Sequence, residues 1–368
     1  MATYSFVNPG LRVKPQEGYP ENISDMLSAG FCDYTGCGHY RIIFPFQAIS
    51  QRFRQMRLDA HYGFLLPGPG TRCYWLQRWF GRELRDFFRQ TALPHFRRHG
   101  IRYVYDIDDV LIMEDMPEYN CLRQFFRNTV DFLPFFLENA DRVTVSVAPL
   151  RDYYVRKFGL PESKFKVLPN YIPRYWIDRY DPVIVRDRLT RHRGGRPRIG
   201  ILGGATHFAV AGDVPDDCSG IYDWIVENRK KYRFVFPNNL SRALMKYADD
   251  FEIFESVQFL DYPRKLASLD LDLVLNPLTD SDFNRCKSTI KLLEPWGIGV
   301  PVLVQNLPNY FADGPECCFR DAEELERKAG AILGDESRYL AECERNHADL
   351  KSHFTEEHVV EIMDALLR

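Results

Sequence analysis

The sequence predicts an α/β protein made of two domains, each a parallel sheet covered by helices. Three observations predict it. Short apolar runs rich in Val, Ile, Leu and aromatics alternate with amphipathic stretches, the rhythm of β-α-β units. Several of these runs close on Gly, Pro, Asn or Asp, where a buried strand turns into a loop. The rhythm is interrupted once, by "YDPVIVRDRLTRHRGGRP", a polar and basic stretch that reads as a linker. With 368 residues the chain can bury two cores. The expected division is a first domain over 1–179, a linker over 180–197, and a second domain over 198–368 with a helical tail.

Taken in order, the first thirty residues offer only "TYSFV", a short strand candidate. No charged start precedes an apolar core, so no secretory signal is expected. No apolar run reaches the ~20 residues of a membrane span, and the cysteine usage points to a cytoplasm, a host's if the chain is phage-encoded. Nine scattered cysteines without a C-x-x-C pair suit reduced thiols rather than a disulfide framework or a zinc site.

In "CDYTGCGHYRIIFPFQAIS", Gly36 and Gly38 precede an apolar helix-like segment. A glycine corner lets a ligand approach the backbone, with His39 and Arg41 at its rim. "TRCYWLQR" reads as a strand and residues 81–99 as an amphipathic helix. "IRYVYDIDDVLI" is a buried strand running into Asp106, Asp108 and Asp109. Ligands of open parallel sheets bind beyond the carboxyl ends of strands. Carboxylates there could act as a base, hold a sugar, or bind a metal. "ADRVTVSVAPLRDYYVRKFG" and "KFKVLPNYI" continue the pattern.

Charge is polarised. Between Arg41 and Tyr103 there are twelve arginines, no lysine and three acids, a balance of +9 in a chain whose net charge is −3. Such a segment could steer a polyanion, DNA included, to the first domain.

In the second half "RIGILGG" reads as a buried strand entering a corner at Gly203 and Gly204, with Thr206 and His207 next. "YRFVFPN", "FEIFESV", "LDLVLNPL" and "VPVLVQN" supply further strands. The stretch 280–294, "DSDFNRCKSTIKLLE", reads as a corner followed by one helix. At ~100° per residue, Asn284, Lys287, Ser288, Lys291 and Glu294 would share one face. Two lysines and an amide near a helix start suit a phosphate pair, because free N–H groups and the helix dipole favour anions there. "HFTEEHVVEIMDALLR" is a terminal helix with a stripe at Val359, Ile362, Met363 and Leu366.

Several stretches together resemble glycosyltransferases of the two-Rossmann-domain (GT-B) architecture, and are similar to the group 1-like bacterial and phage family. They are "GCGHYRIIFPF", "YDIDDVL", "ADRVTVSVAPLRDYY…KVLPNYI", "RIGILGGATH" and "LDLVLNPLTDSDFNRCKSTIKLLEPWGIGVPVLVQ". The resemblance implies a cleft between two Rossmann-like domains and a nucleoside-diphosphate sugar, a UDP-sugar, as co-substrate without a required metal. It implies donor contacts from Gly203, Gly204, His207, Asn284, Lys287, Ser288, Lys291 and Glu294. Lys287 and Lys291 would contact the diphosphate, Glu294 the ribose, and His207 would lie beside the transferred sugar. Gly38, His39, Tyr40, Arg41 and Asp106 would serve the acceptor, and His39, Asp108 and Asp109 the chemistry. One departure concerns Cys286, which stands where many retaining members carry a glutamate.

The expected activity is transfer of a sugar to an acceptor hydroxyl. A hydroxymethylated base in phage DNA fits the arginine-rich segment. A lipid-linked sugar or polysaccharide at a membrane surface is the rival, since "CYWLQRWFGRELRDFFRQ" is basic and aromatic. A metal-dependent transferase using Asp106 and Asp108, or a non-catalytic nucleotide- or DNA-binding protein, are the readings from other classes.

Overall fold

The structure, a computed structural model, describes residues 27–31, 35–53, 71–78, 80–192, 194–210, 214–238, 240–307 and 316–367. The strand candidate "TYSFV" lies outside them. The described residues form two compact units.

In the first unit β1 (Leu27–Phe31), β2 (Thr71–Gln77), β3 (Arg102–Ile107), β4 (Arg142–Val145) and β5 (Phe165–Val167) form a parallel sheet in chain order. In β3 every residue after Arg102 is buried, as expected of a strand covered on both faces. Its Tyr105 stacks on Phe136 of the helix Thr129–Asn139, and Tyr103 meets Phe88 and Phe96 from the helical stretch after β2. The large aromatic content is thus spent on helix-to-sheet packing, where each buried ring contributes on the order of 1.5–3 kcal/mol.

In the second unit β6 (Arg198–Ile201), β7 (Arg233–Pro237), β8 (Glu252–Phe254), β9 (Leu273–Asn276), β10 (Val302–Gln305) and β11 (Cys318–Phe319) form a parallel sheet ordered β11-β10-β9-β6-β7-β8. The order runs outward from β6 on one side and from β9 on the other. This is the doubly wound Rossmann order, with its switch point between β6 and β9. Ile199 and Ile201 pair with Leu273 and Leu275 in the centre of the core.

The units do not follow the expected boundaries. Residues 115–125 belong to the second unit and 356–367 to the first. The terminal helix Glu356–Leu367 packs on the helix Phe44–Phe53, burying Val359, Met363 and Leu366. The stripe seen in the sequence is real, but it covers the other unit's core. The expected linker is also ordered: Pro182–His192 is a helix of the second unit. Its Arg188 is 4% exposed and donates to the carbonyls of Leu271 at 3.1 Å and Gly299 at 2.6 Å. Gly299 has φ +70, and a Cβ there would lie 2.8 Å from Tyr180 and Val185. A basic side chain in a polar stretch reads as solvated until its carbonyl partners, 83 and 111 residues away, are known.

Candidate functional site

The second unit's switch point gathers the chemistry. β6 ends at Ile201 and runs into the glycine corner; β9 ends at Asn276 and runs into the 280–294 stretch. Both lead away from the carboxyl edge, where diverging connections open a crevice. Gly203 is required by packing, because a Cβ would stand 2.9 Å from Phe208 and 3.1 Å from His207. Gly204 is exposed, and a Cβ there would meet nothing within 4 Å among the described residues. The His207 amide closes the turn on the Gly204 carbonyl at 2.9 Å.

The hub of the site is Asp217, 2% exposed. His207 Nδ1 lies 2.7 Å from its Oδ2. Its Oδ1 accepts from Tyr119 Oη at 2.6 Å, Asn284 Nδ2 at 2.6 Å, and the amide and hydroxyl of Thr279, each at 3.0 Å. Burial alone would push the carboxyl up, but hydrogen bonds from His207, Tyr119 and Thr279 hold it below the usual carboxylate range. His207 moves the other way: burial and the neighbouring Lys291 lower it to about 4, so at neutral pH the imidazole is uncharged.

Beside this hub lies Lys291. Its Nζ is buried and has no hydrogen-bond partner among the described residues. Burial, then Lys287, lower its amine to about 8, against the pull of Asp217 and Glu294. Lys287 Nζ sits 4.0 Å above the Phe283 ring. Ser288 and Glu294 are half-buried on the same stretch.

The stretch is not one helix. Asp282–Arg285 is a single turn capped by Ser281, whose Oγ accepts from the Asn284 amide at 3.2 Å. The chain leaves helical hydrogen bonding at Cys286 and re-enters it over Ile290–Trp296. The common face expected for Asn284, Lys287, Ser288, Lys291 and Glu294 therefore does not exist as such. Asn284 is fully buried, its amide spent on Asp217 and on the Thr279 carbonyl at 2.9 Å. It shapes the site from behind instead of lining it. Cys286 is 3% exposed and turned into the core.

The first unit departs further from expectation. Gly36 and Gly38 do not form an open corner; they open a helix capped by Thr35, which continues through a π-helical turn, His39–Ile43. His39 and Tyr40 are buried, and His39 Nδ1 lies 2.9 Å from the Thr35 carbonyl. Arg41 and Asp106 are both 0% exposed and joined at 2.7 Å. Thr144 Oγ1 donates to Asp106 at 2.6 Å, and Arg41 also reaches Asn170 Oδ1 at 3.1 Å and the Leu168 carbonyl. A fully enclosed pair with its hydrogen bonds satisfied cannot also line an acceptor surface, so both residues hold the strands together.

Asp108 and Asp109 remain at the carboxyl edge of β3, and one residue spans them. Arg78 pairs with Asp108 through Nε and with Asp109 through Nη2, the latter at 3.0 Å. Arg78 follows β2 with φ +55, a conformation a long side chain rarely adopts outside constrained sites. Burial raises Asp108, and Arg78 opposes the rise. Of the twelve arginines, Arg41 and Arg78 are thus internal. Arg82, Arg89, Arg97 and Arg98 are exposed on the helical stretch after β2, while the side chains of Arg52, Arg54, Arg57 and Arg72 lie outside the described residues.

Sequence reasoning missed Asp217, Tyr119, Thr279 and the role of Arg78. Asp217 has a faint signal, a tandem Asp216-Asp217 ten residues after the glycine-corner histidine. Tyr119 has none.

No family model matches the chain, and no curated protein matches it in sequence. Solved structures do. A glycosyltransferase from Rickettsia africae ESF-5 is similar over 93% of this chain and 97% of its own, with TM-score 0.57 and 10% identity. Anabaena HepE in complex with UDP and glucose is similar over 93% and 99%, with TM-score 0.57 and 11% identity. HepE in complex with UDP-glucose is similar over 92% and 99%, again at 0.57 and 11%. At such identities the likeness establishes the fold, the GT-B architecture of two Rossmann-like units.

Proposed function

We propose that this chain is a glycosyltransferase whose second unit binds a nucleoside-diphosphate sugar, a UDP-sugar, with Lys287 and Lys291 receiving the diphosphate. The observation that carries the reading is Lys291 Nζ, a buried amine without a hydrogen-bond partner among the described residues, at the switch point of a Rossmann sheet. Enclosing such a group is costly unless something anionic answers it. A diphosphate supplies both the charge and the acceptor oxygens. The structural likeness to HepE, which holds UDP and glucose, supports the same reading. Gly203 and Gly204 would line the phosphates and Glu294 the ribose.

In the reaction the bond from the sugar's anomeric carbon to the diphosphate breaks and a bond to the acceptor oxygen forms. Negative charge collects on the departing diphosphate, where two ammonium groups stabilise it more than they stabilise the bound donor. If configuration inverts, the acceptor proton goes to Asp108 or Asp109; if it is retained, it goes to the departing phosphate. A buried carboxylate with a raised pKa suits the first role. This reading calls for no divalent cation, since Arg78 already places positive charge between the two aspartates.

The test is the Lys287→Ala/Lys291→Ala double variant, assayed by calorimetry with UDP and by transfer or hydrolysis across a panel of UDP-sugars with a chelator present. Loss of UDP binding by at least about 100-fold, two charge-assisted contacts' worth, is expected. Full activity in a folded double variant removes the assignment.

For the acceptor, the reading extends to a hydroxymethylated base in DNA. Exposed Arg82, Arg89, Arg97 and Arg98 support it, and the base would have to be flipped from the duplex. Duplex binding that weakens steeply with salt would support this acceptor. Liposome binding without DNA binding would assign a lipid-linked one.

A further inference from the structure

We infer that Asp217 is the positioning residue of this site: one carboxylate oxygen sets the tautomer of His207, and the other gathers Tyr119, Thr279 and Asn284 around the place where Lys291 ends. The inference rests on the nucleotide-sugar reading above, but its central readout does not.

Asp217 Oδ1 is surrounded by donors alone: a phenol, a backbone amide, a hydroxyl that can donate, and a carboxamide nitrogen. Among the described residues Oδ2 faces only His207 Nδ1. An ionised carboxylate accepts at both oxygens and donates at neither. A neutral imidazole opposite Oδ2 must therefore carry its proton on Nδ1, leaving a lone pair on Nε2. His207 then meets a ligand as an acceptor, suited to a hydroxyl, while Lys287 and Lys291 meet it as cations, suited to phosphate. Division of labour within one site follows from a single carboxylate. The four residues it holds come from positions 119, 207, 279 and 284, so no local motif could arrange them. Asp217 also supplies negative charge to Lys291, which burial and Lys287 otherwise discharge.

The diagnostic variant is Asp217→Asn. An amide has one accepting end and one donating end. Four donors crowd Oδ1, so the carbonyl settles there and the NH2 faces His207. The imidazole must then accept at Nδ1, and its proton moves to Nε2.

Long-range 1H–15N spectra of uniformly labelled protein at pH 7, with His207→Gln to assign the ring, read this directly. The expected result is Nδ1–H in the unaltered protein, Nε2–H in Asp217→Asn, and UDP affinity at least tenfold weaker in the variant. An Nε2–H imidazole in the unaltered protein overturns the inference without recourse to any variant, as does unchanged tautomer or unchanged UDP affinity in a folded Asp217→Asn. A tautomer exchange in a protein that binds no UDP at all sustains the hold of Asp217 on His207 and removes the nucleotide reading instead.

Discussion

Replacing Lys291 by Met should make the protein more stable while destroying the proposed diphosphate site. The amine is lowered from 10.5 to about 8, chiefly by burial and then by Lys287. At ~1.36 kcal/mol per pKa unit, keeping it charged in the folded state costs about 3 kcal/mol. The sign follows from proton counting. Below pH 8 both folded and unfolded chains carry the proton, and the folded chain bears the whole cost. Between about 8 and 10.5 the folded chain has released the proton that the unfolded chain still holds, so stability rises with pH. Met keeps the length and apolar packing of the side chain without the charge. Urea unfolding should therefore show Lys291→Met more stable at pH 7 by up to about 3 kcal/mol, with the gain shrinking toward pH 10. UDP calorimetry on the original protein should show affinity falling as pH rises past 8, and little binding by the Met variant at any pH. Parallel stability-versus-pH curves for the two proteins, or undiminished UDP binding by the variant, would refute the reasoning.

Two further perturbations probe the scaffold. Gly203→Ala should cost about 1–3 kcal/mol and weaken UDP binding, since its Cβ collides with Phe208 and His207. Gly204→Ala, which meets nothing within 4 Å, should be near neutral in thermal unfolding. Arg41→Leu alone should destabilise by about 3–5 kcal/mol because it strands the enclosed Asp106, whereas Arg41→Leu/Asp106→Leu should recover much of that loss in the same denaturant assay. Equal losses in single and double variants would show that the pair is not a closed unit.

How far the sequence reaches is clearest in particular places. The strands were legible because Leu273–Asn276 and Val302–Gln305 are buried on both faces and so read as unbroken apolar runs. The glycine corner and its histidine were legible because they follow such a run directly. The break at Cys286 was not, since no Gly or Pro stands between residues 280 and 294. The turn that ends there carries Asn284, whose partner Asp217 lies 67 residues earlier in the chain. Arg41 looked like a surface charge for a similar reason: its partner Asp106 lies 65 residues away.

The order of side chains along the chain, by itself, determined the alternation of sheet and helix and five of the six strands in the second half, the two-residue β11 (Cys318–Phe319) being the exception. Local spacing suffices for these because backbone periodicity and apolar burial act over a few residues. Which polar groups are enclosed, that Arg78 bridges Asp108 and Asp109, and that Asp217 gathers Tyr119, His207, Thr279 and Asn284 were decided only when distant segments met. Charge and hydrogen bonding take their meaning from whatever lies within about 3 Å, and that neighbour is chosen by the tertiary fold.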